Sequence, residues 1–447
     1  MKKITQEELL KNANKWGDIS LRLHKFYNGK MATIPRCAVR SIEDFALWYT
    51  PGVAAPCREI ESQPEKVYDY TNKGNHIAII SDGTRVLGLG DIGPKAAMPV
   101  MEGKALIYKY LGGVDATAIC LDTKDPDEFI NTVKLLAPSF GGINLEDIAN
   151  PKCFYILRRL REEMPIPVWH DDQQGTAAVT VAGFINALKV AGKEIQNVRV
   201  TLIGAGAANI RIAHLLMQAG VQPEQLIITD SEGILTTERE DMIGDYQEKW
   251  ELAQKTNPEK RRGGNAEAIK DADVVIALSQ SGPGTLDPTL IKTMADNAIV
   301  FVCANPVPEI WPWDAHDNGA LIVATGRSDF PNQVNNSLCF PGIFRGALDV
   351  RASTITDEMC LEASFMLAQI AEENGLRPDY IIPSMDEWDV FPREAAAVGM
   401  KAIEQGVAGI QWTYDKLYIN AKKTIEHSRK LFEMLQKDGF IQQPEEQ

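Results

Sequence analysis

The stretch Val198-Arg-Val-Thr-Leu-Ile-Gly-Ala-Gly-Ala-Ala-Asn209 indicates the class of fold, because it joins a strand pattern to a helix pattern through a glycine-rich turn. The apolar run that ends at Ile203 predicts a buried strand, and the run from Ile210 to Ala219 predicts a helix. The next strand pattern ends in Asp230, twenty-four residues after Gly206. Strand, tight turn, helix and a terminal acid are typical of a dinucleotide-binding unit, in which the acid binds the adenosine ribose.

The residues of this turn and the acid are the predicted cofactor contacts: Gly204, Gly206, Ala207, Ala208, Asn209 and Asp230. Asn209 stands where the motif usually has a small residue, which mainly allows the helix to pack closely on the strand. A second stretch, Gly88-Leu-Gly-Asp-Ile-Gly93, matches the glycine spacing letter for letter. It is followed by Pro94 and Pro99, which predict that no helix begins there to receive a pyrophosphate.

Strand and helix patterns keep alternating to about residue 350, which predicts a doubly wound parallel sheet, that is, a Rossmann-like dinucleotide domain. Upstream, strand patterns at His76 to Ile80, Val114 to Leu121 and Ile166 to Trp169 alternate with helix patterns, so the first domain is also predicted to be α/β. We therefore expect an α/β protein in three parts: a first domain at residues 1–174, the dinucleotide domain at residues 175–353, and a helical C-terminal segment at residues 354–447 that packs on both.

Composition limits the class of protein. The chain has 447 residues, too many for one growing core, and its net charge of −15 argues against a nucleic-acid partner. No uncharged apolar stretch approaches the eighteen or so residues of a membrane span, and the N-terminus lacks the apolar core of a signal peptide. Seven cysteines, none in a C-x-x-C pair, predict reduced thiols. We therefore expect a cytoplasmic protein without membrane or nucleic-acid partners.

Two pairs of carboxylates stand out in the first domain. Asp171-Asp172 comes directly after the strand pattern that ends at Trp169, and Glu146-Asp147 lies 25 residues upstream. Ligands of α/β proteins bind at the carboxyl ends of strands. Four carboxylates in two such pairs would repel one another unless a cation joined them, and oxygen ligands of this kind suit Mg²⁺ or Mn²⁺. Taken alone, each pair is better explained as a helix cap or a solvated surface.

Seven ordered motifs resemble those of the malic enzymes, in particular the shorter bacterial and archaeal branch. They are Trp48-Tyr-Thr-Pro-Gly-Val53, Asp82-Gly-Thr-Arg-Val-Leu-Gly-Leu-Gly-Asp-Ile-Gly93, Pro99-Val-Met-Glu-Gly-Lys104, Leu145-Glu-Asp-Ile148, His170-Asp-Asp-Gln-Gln-Gly-Thr-Ala177, Ala304-Asn-Pro306 and Asn335-Asn-Ser-Leu-Cys-Phe-Pro-Gly342. Motifs spread over roughly residues 40 to 350 make the resemblance more specific than a shared fold. It implies that malate is oxidised with NAD(P) and then decarboxylated to pyruvate, with a divalent cation as Lewis acid.

The resemblance also implies roles for individual residues: Glu146, Asp147 and Asp172 as metal ligands, Lys104 as general base, Tyr49 as the acid that protonates the enol, and Arg85, Asn305 and Asn335 as substrate and nicotinamide contacts. Asp171 then looks like a neighbour that holds a ligand or the lysine in place. Burial beside a cation is expected to lower the pKa of Lys104. The sequence leaves open whether Asn335 or Asn336 points into the site.

Several alternatives remain open at this stage. A malolactic-type lyase would return the hydride and release lactate, and a catalytically silent dinucleotide-binding protein would lack one of the implied site residues. NAD is expected to be preferred over NADP because Asp230 and Glu232 crowd the position of a 2′-phosphate, unless a cation such as Arg239 folds back. Apolar residues in the N-terminal segment, including Leu21 and Phe26, together with the family resemblance, predict at least a homodimer.

Overall fold

Two β-sheets organise the part of the chain that the computed structural model describes, residues 6–444, with side chains from residue 16 onward. The strands of the first sheet are β1 (His76–Ser81), β2 (Asp115–Cys120), β3 (Gly142–Leu145) and β4 (Val168–His170). Those of the second are β5 (Val200–Ile203), β6 (Leu226–Asp230), β7 (Gly233–Ile234), β8 (Val274–Ala277), β9 (Ala298–Val302) and β10 (Ala320–Thr325). The predicted α/β class is confirmed.

Helices precede, connect and follow these strands. In the N-terminal half they are α1 (Gln6–Tyr27), α2 (Phe45–Trp48), α3 (Ala54–Ser62), α4 (Val67–Tyr70), α5 (Pro94–Gly112), α6 (Pro126–Leu136), α7 (Lys152–Glu163) and α8 (Asp171–Ala191). In the C-terminal half they are α9 (Ala207–Ala219), α10 (Gln247–Lys255), α11 (Asn265–Ile269), α12 (Pro312–Asp317), α13 (Phe340–Asp349), α14 (Asp357–Glu373), α15 (Val390–Glu404) and α16 (Tyr414–Lys437). Within residues 6–444, no helix has the length and apolar character that crossing a bilayer requires.

The strands of both sheets are almost all parallel, so their carboxyl ends lie along one edge of each sheet. The first has the order β2-β1-β3-β4, and all its neighbours are parallel. The second has the order β10-β9-β8-β5-β6-β7, and only its short edge strand β7 is antiparallel. The chain order reverses between β5 and β8, which is the switch point where doubly wound sheets bind nucleotides. The predicted Rossmann-like sheet is therefore confirmed.

Helix α5 differs from its prediction, because it begins at Pro94 and runs through Pro99 to Gly112. The prediction that no helix begins after Gly93 was wrong. Pro94 occupies the first position of the helix, where an N–H has no partner in the helix anyway. Pro99 removes one hydrogen bond, but side chains such as Met101 are buried on the inner face of the helix, which packs on the first sheet, and this packing outweighs the local cost.

The C-terminal helices pack on both halves of the chain. Helix α14 contacts α8 and α9, while α16 packs on α5 of the first domain and on α15. One apolar core accordingly joins side chains from both sheets and from these helices. The proposed boundary after residue 174 falls within the first turn of α8, and the division into three parts stays a prediction.

Candidate active site

The two acidic pairs converge because β3 and β4 are parallel neighbours. Leu145 and His170 are register partners at the carboxyl ends of these strands, so the residues that follow them start side by side. Carboxylate oxygens of Glu146, Asp147 and Asp172 all lie within 4.8 Å of one another. This separation suits one shared cation, whose bonds to oxygen are about 2.0–2.6 Å long. We call these three residues the acidic triad.

Asp147 shows how tightly the acidic triad is built. Its backbone lies in the left-handed region (φ 54°), and its N–H donates to Oδ2 of Asp172 at 2.9 Å. The backbone N–H of Leu87 donates to Oδ1 of Asp147 at 3.3 Å, whereas Oδ2 is buried without a partner. Burial, and then the charge of Asp172, raise the pKa of Asp147 to about 7. A cation is the kind of partner that this carboxylate lacks.

Glu146 is fixed from behind by helix α5 and strand β3. The hydroxyl of Tyr108 donates to Oδ1 of Asn144 at 2.7 Å, and Nδ2 of Asn144 donates to Oε2 of Glu146 at 2.9 Å. The other oxygen, Oε1, forms an ion pair with Nζ of Lys104 at 2.5 Å. Burial raises the pKa of Glu146 well above its usual value. Tyr108 and Asn144 were not predicted from the sequence, and together they hold one oxygen of Glu146 in position.

Lys104 lies at the centre of the site, buried in helix α5. Its ammonium contacts the carboxylates of Asp171 and Glu146 and lies 4.6 Å from the ring centroid of Phe340. Burial alone would lower the pKa of Lys104, but the charges of Asp171 and Glu146 outweigh it, and the pKa is raised. The predicted lowering of the pKa of Lys104 therefore requires the positive charge of a bound cation, because the chain's own charged groups around the ammonium are mainly carboxylates, which raise this pKa.

Asp171 joins the lysine to the end of the dinucleotide domain. Its carboxylate accepts hydrogen bonds from Lys104, from Nδ2 of Asn336, and from Nε1 of Trp169 at 3.1 Å. A Cβ atom at Gly175 would collide with the same carboxylate, so only glycine leaves room for it. Asp171 therefore acts as an anchor for Lys104 rather than as a member of the acidic triad.

Asn336, and not Asn335, faces the acidic centre. The side chain of Asn335 instead caps the next short helical turn, with Oδ1 accepting from the backbone N–H of Ser337 at 3.0 Å. Its amide nitrogen is 3.5 Å from the carbonyl oxygen of Gly326. The implied role of Asn335 as a substrate contact stays a prediction, and Asn336 is the asparagine that reaches Asp171.

The remaining implied residues lie at different distances from this centre. Arg85 is exposed, but its backbone N–H donates to the carbonyl oxygen of Asp147 at 3.0 Å, so it begins next to the acidic triad. Asn305 follows β9, and its amide packs against Gly326 of the next loop. Tyr49 is 71% exposed, and the structure shows no contact between Tyr49 and Lys104. Contacts in the structure therefore connect Arg85 to the acidic triad and Asn305 to the neighbouring loop, whereas Tyr49 has no such contact with Lys104.

The glycine-rich turn has the form expected of a nucleotide site. It leads from β5 into α9, with Gly206 as the residue before the helix. Gly204 has a φ of 94° and lies against the backbone of Ser279, where a Cβ atom would come within 3.0 Å. The buried amide of Asn209 donates to the carbonyl oxygens of Ile203 and Gly204 at 2.9 and 2.8 Å. This asparagine therefore fixes the turn, which explains why a small residue is not needed there.

Asp230 ends β6 as predicted, but it is not free. Arg239 donates to both of its oxygens at 2.7 and 3.1 Å, and Nζ of Lys249 lies 2.9 Å from Oδ2. Burial would raise the pKa of Asp230, but the hydrogen bonds from Arg239 and Lys249 outweigh it and lower the pKa. Two cations therefore border the position where a ribose would bind.

The residues present fit a divalent cation and a dinucleotide. The acidic triad offers carboxylate oxygens, the ligands that Mg²⁺ and Mn²⁺ prefer, and one buried oxygen of Asp147 lacks any other partner. The turn at Gly204 leads directly into the N-terminus of α9, and helix N-termini are where pyrophosphates bind. Both sites lie at the carboxyl ends of parallel strands.

Comparison with known proteins decides the family. The model for the N-terminal domain of malic enzymes matches residues 28–161, and the model for their NAD-binding domain matches residues 173–403. The chain belongs to the malic enzyme family. This confirms the predicted family and enzyme class, an NAD(P)-dependent decarboxylating oxidoreductase.

Three relatives show how far the similarity extends. The bifunctional malic/malolactic enzyme of Bacillus subtilis (strain 168) is 48% identical over 92% of this malic enzyme and 97% of its own length. The NAD-dependent malic enzyme of Geobacillus stearothermophilus is 49% identical over 85% of this chain and 78% of its own. The crystal structure of Entamoeba histolytica malic enzyme superposes with a TM-score of 0.96 at 46% identity, over 100% of this chain and 93% of the other.

Proposed function

We propose that this malic enzyme oxidises L-malate with NAD(P) and decarboxylates the product to pyruvate and CO₂, with Mg²⁺ or Mn²⁺ at the acidic triad. One observation carries the proposal: the ammonium of Lys104 lies between Glu146 and Asp171, so the implied base adjoins an implied metal ligand. A base that takes the hydroxyl proton and a Lewis acid that polarises the same oxygen both assist the transfer of a hydride from C2 to the nicotinamide.

Each residue has a defined task in this proposal. When bound, the cation supplies Lewis-acid polarisation of the substrate oxygens and the nicotinamide accepts the hydride. Nζ of Lys104, in the neutral form that the positive charge of a bound cation would favour, takes the proton of the C2 hydroxyl, and Asp171 keeps this nitrogen in place. The guanidinium of Arg85 binds a malate carboxylate, a planar and bidentate task, and the amide of Asn305 orients the substrate against the nicotinamide. Tyr49 donates the proton to C3 of the enol.

An absorbance assay at the nicotinamide band tests the reaction. We expect malate, Mn²⁺ and NAD(P) together to produce reduced cofactor and pyruvate, and omission of Mn²⁺ with a chelator present to stop production. Absence of reduced cofactor under these conditions would show that the proposed reaction is wrong.

The malolactic reaction is the second candidate, because the name of the Bacillus subtilis relative includes both activities. Its product is lactate, and the hydride returns to the substrate, so no reduced cofactor accumulates. Product analysis by chromatography, run beside the absorbance assay, separates the two. The cytoplasmic location and the absence of a nucleic-acid partner stay predictions.

Cofactor choice depends on the ion pairs of Asp230. We expect the wild-type protein to have a higher kcat/KM with NAD than with NADP, because Asp230 already binds Arg239 and Lys249, and the exposed Glu232 repels a 2′-phosphate. Asp230→Ala releases Arg239 and Lys249 from their carboxylate, so the ratio of kcat/KM for NADP to that for NAD should rise by about tenfold or more. Steady-state kinetics with both cofactors measure this ratio.

The matched control is Asp230→Ala combined with Arg239→Ala, which should lose the gain with NADP because the freed guanidinium is gone. A wild-type protein that prefers NADP would contradict the expected order and would make Arg239 the partner of the phosphate.

The N-terminal part of the chain supports the proposed homodimer. No residue from 16 to 72, all of which the structure describes, is buried, although this segment includes helices α2 to α4. We call residues 16–72 the N-terminal segment. Large exposed apolar side chains are concentrated there: Trp16, Leu21, Phe26, Ile42, Phe45, Leu47, Trp48 and Tyr49. Exposed apolar surface on this scale marks an interaction site, and we assign it to a second copy of the chain.

Light scattering at micromolar concentration should therefore give at least the mass of a dimer. Ile42→Glu should raise the dissociation constant by more than about tenfold, because an unpaired carboxylate is costly to bury. Leu135→Glu is the matched control, since Leu135 and Ile42 are both 81% exposed and Leu135 lies on α6, outside the N-terminal segment. Equal effects of the two variants, or a monomeric wild-type protein, would contradict this assignment.

A further inference from the structure

Glu309 is a buried carboxylate outside the acidic triad, and the sequence motifs assign it no role. Its side chain is fully buried, between the loop that follows β9 and the loop that follows β8. Among the described residues it forms no ion pair. A buried charge without a cation is costly unless hydrogen bonds stabilise it, so the partners of Glu309 indicate why it is there.

Both oxygens of Glu309 accept hydrogen bonds from the main chain. The backbone N–H of Ser279 donates to Oε1 at 2.9 Å, and the backbone N–H of Ala304 donates to Oε2 at 3.2 Å. Burial raises the pKa of Glu309 to about 6, against the opposing effect of these hydrogen bonds. The same two loops are also joined further along by main-chain hydrogen bonds, such as that from the N–H of Gly282 to the carbonyl oxygen of Val307 at 3.2 Å. The side chain of Glu309 adds the contact that reaches Ser279 and Ala304, next to the ends of the two strands. A carboxylate offers a separate acceptor oxygen to each of the two N–H groups, whereas an amide of the same size places a donor against one of them.

The two loops belong to different parts of the site. Ser279 lies against Gly204 in the nucleotide turn, where a Cβ atom would approach the Cα of Ser279 to 3.0 Å. Ala304 directly precedes Asn305, whose carbonyl oxygen would lie 2.9 Å from a Cβ atom at Gly88 of the first domain. Glu309 therefore connects the loop that packs on the nucleotide turn, at Ser279, with the loop that carries Asn305.

We propose that Glu309 is a positioning residue of the reaction, which holds the loop of Asn305 in register with the nucleotide turn. This inference rests on the proposed function, because it concerns the alignment of malate with the nicotinamide. Glu309 itself touches neither. Its effect arises because misplacement of a substrate-binding group by about 1 Å can lower a rate by about a hundredfold.

The test is Glu309→Gln, which keeps the size of the side chain and replaces one acceptor by a donor that faces an N–H. We expect kcat/KM for malate to fall by about a hundredfold, while the Kd for NADH, measured by fluorescence titration, changes by less than about threefold. Hydrogen exchange at the amides of residues 279 and 304 should become faster. Glu309→Asp keeps both acceptors and should recover at least about tenfold of the lost kcat/KM.

Glu394→Gln is the matched control, since Glu394 is also fully buried, lies on α15, and has no hydrogen-bond partner for either oxygen. It should leave the kinetics and the two amides unchanged. Wild-type kcat/KM in Glu309→Gln, or the same loss in Glu394→Gln, would overturn the proposal. The exchange measurement requires no turnover, so a wild-type protein inactive towards malate would refute the proposed function separately from the link between the two loops.

Discussion

Asp172→Ala is expected to lower cation-supported malate oxidation by at least about a hundredfold, while NADH binding stays near that of the wild type. Asp172 supplies one of the three carboxylates that lie within 4.8 Å of one another. A Lewis acid contributes several kcal/mol to such a reaction, and about 1.4 kcal/mol corresponds to a factor of ten. The nucleotide turn follows a strand of the other sheet, so we expect cofactor affinity to be independent of this side chain. Steady-state kinetics and fluorescence titration measure the two quantities.

Two further variants exclude trivial explanations for that loss. Asp172→Asn removes one of several repelling charges, so without added cation it should be at least as resistant to thermal unfolding as the wild type. The wild-type protein should gain stability from Mn²⁺ and Asp172→Asn should not, because a ligand stabilises the state that binds it. Asp127→Ala removes an exposed carboxylate of α6 and should behave as the wild type. Full Mn²⁺-supported turnover in Asp172→Ala would show that the triad is not the cation site.

The convergence of the two acidic pairs could be predicted because local rules determine it, whereas the choice of Glu146, Asp147 and Asp172 as ligands is implied by the family resemblance. A strand pattern gives the direction of a strand, and adjacent parallel strands bring their carboxyl ends to one edge of the sheet. Glu146 and Asp171 follow β3 and β4 directly, so their proximity requires only that these strands be neighbours. The nucleotide turn follows the same logic, since strand, glycines and helix are contiguous in the sequence.

Other features depend on contacts between distant segments, which a single sequence does not display. Asn336 rather than Asn335 reaches Asp171, because Asn335 caps the turn that follows it. Arg239, which the sequence already offered as a cation that could fold back, and Lys249, which it did not, both bind the carboxylate of Asp230, from nine and nineteen residues away along the chain. Helix α5 extends through Pro99 because its inner face is buried, which local propensity cannot indicate. In each case tertiary packing decides between local alternatives that the sequence leaves nearly equal.

Glu309 could have been noticed in the sequence. It stands between Val307-Pro308 and Ile310-Trp311, so an acid occurs within an apolar run directly after the Ala304-Asn-Pro306 motif. Charged residues are rarely buried unless their groups are paired or hydrogen-bonded, so an acid in such a run indicates a specific partner. The identity of that partner, two backbone N–H groups on different loops, requires the structure.

Among the implied site residues, Tyr49 is the one whose proposed role is least explained by the structure of a single chain, because its side chain is exposed. A general acid must come within hydrogen-bond reach of the atom that it protonates, directly or through one water. Tyr49 lies in the N-terminal segment, which we expect to be covered by a second subunit. The acid assignment therefore depends on the oligomeric state, and Tyr49→Phe should lower kcat by about 10²–10⁴-fold in the assembled enzyme.

The second large effect is expected for Lys104, and here the charge of the side chain must be separated from its ability to transfer a proton. Lys104→Ala should lower kcat by about 10²–10⁴-fold, the usual contribution of a positioned general base. Lys104→Arg keeps a positive charge near Asp171 and Glu146 but cannot release a proton at neutral pH, so it should be nearly as slow. Measuring kcat with malate, and separately the decarboxylation of oxaloacetate, shows which partial reaction needs the base.

Lys109→Ala is the control on the same helix, because Lys109 forms a partly exposed ion pair with Asp115 at 2.6 Å, a pair of small energetic value. It should leave kcat near that of the wild type. Circular dichroism and NADH titration of Lys104→Ala establish that the fold and the nucleotide turn survive the loss of a buried ion pair. If Lys104→Arg retained full activity, only the charge would matter, and Lys104 would stabilise the two carboxylates without acting as the base.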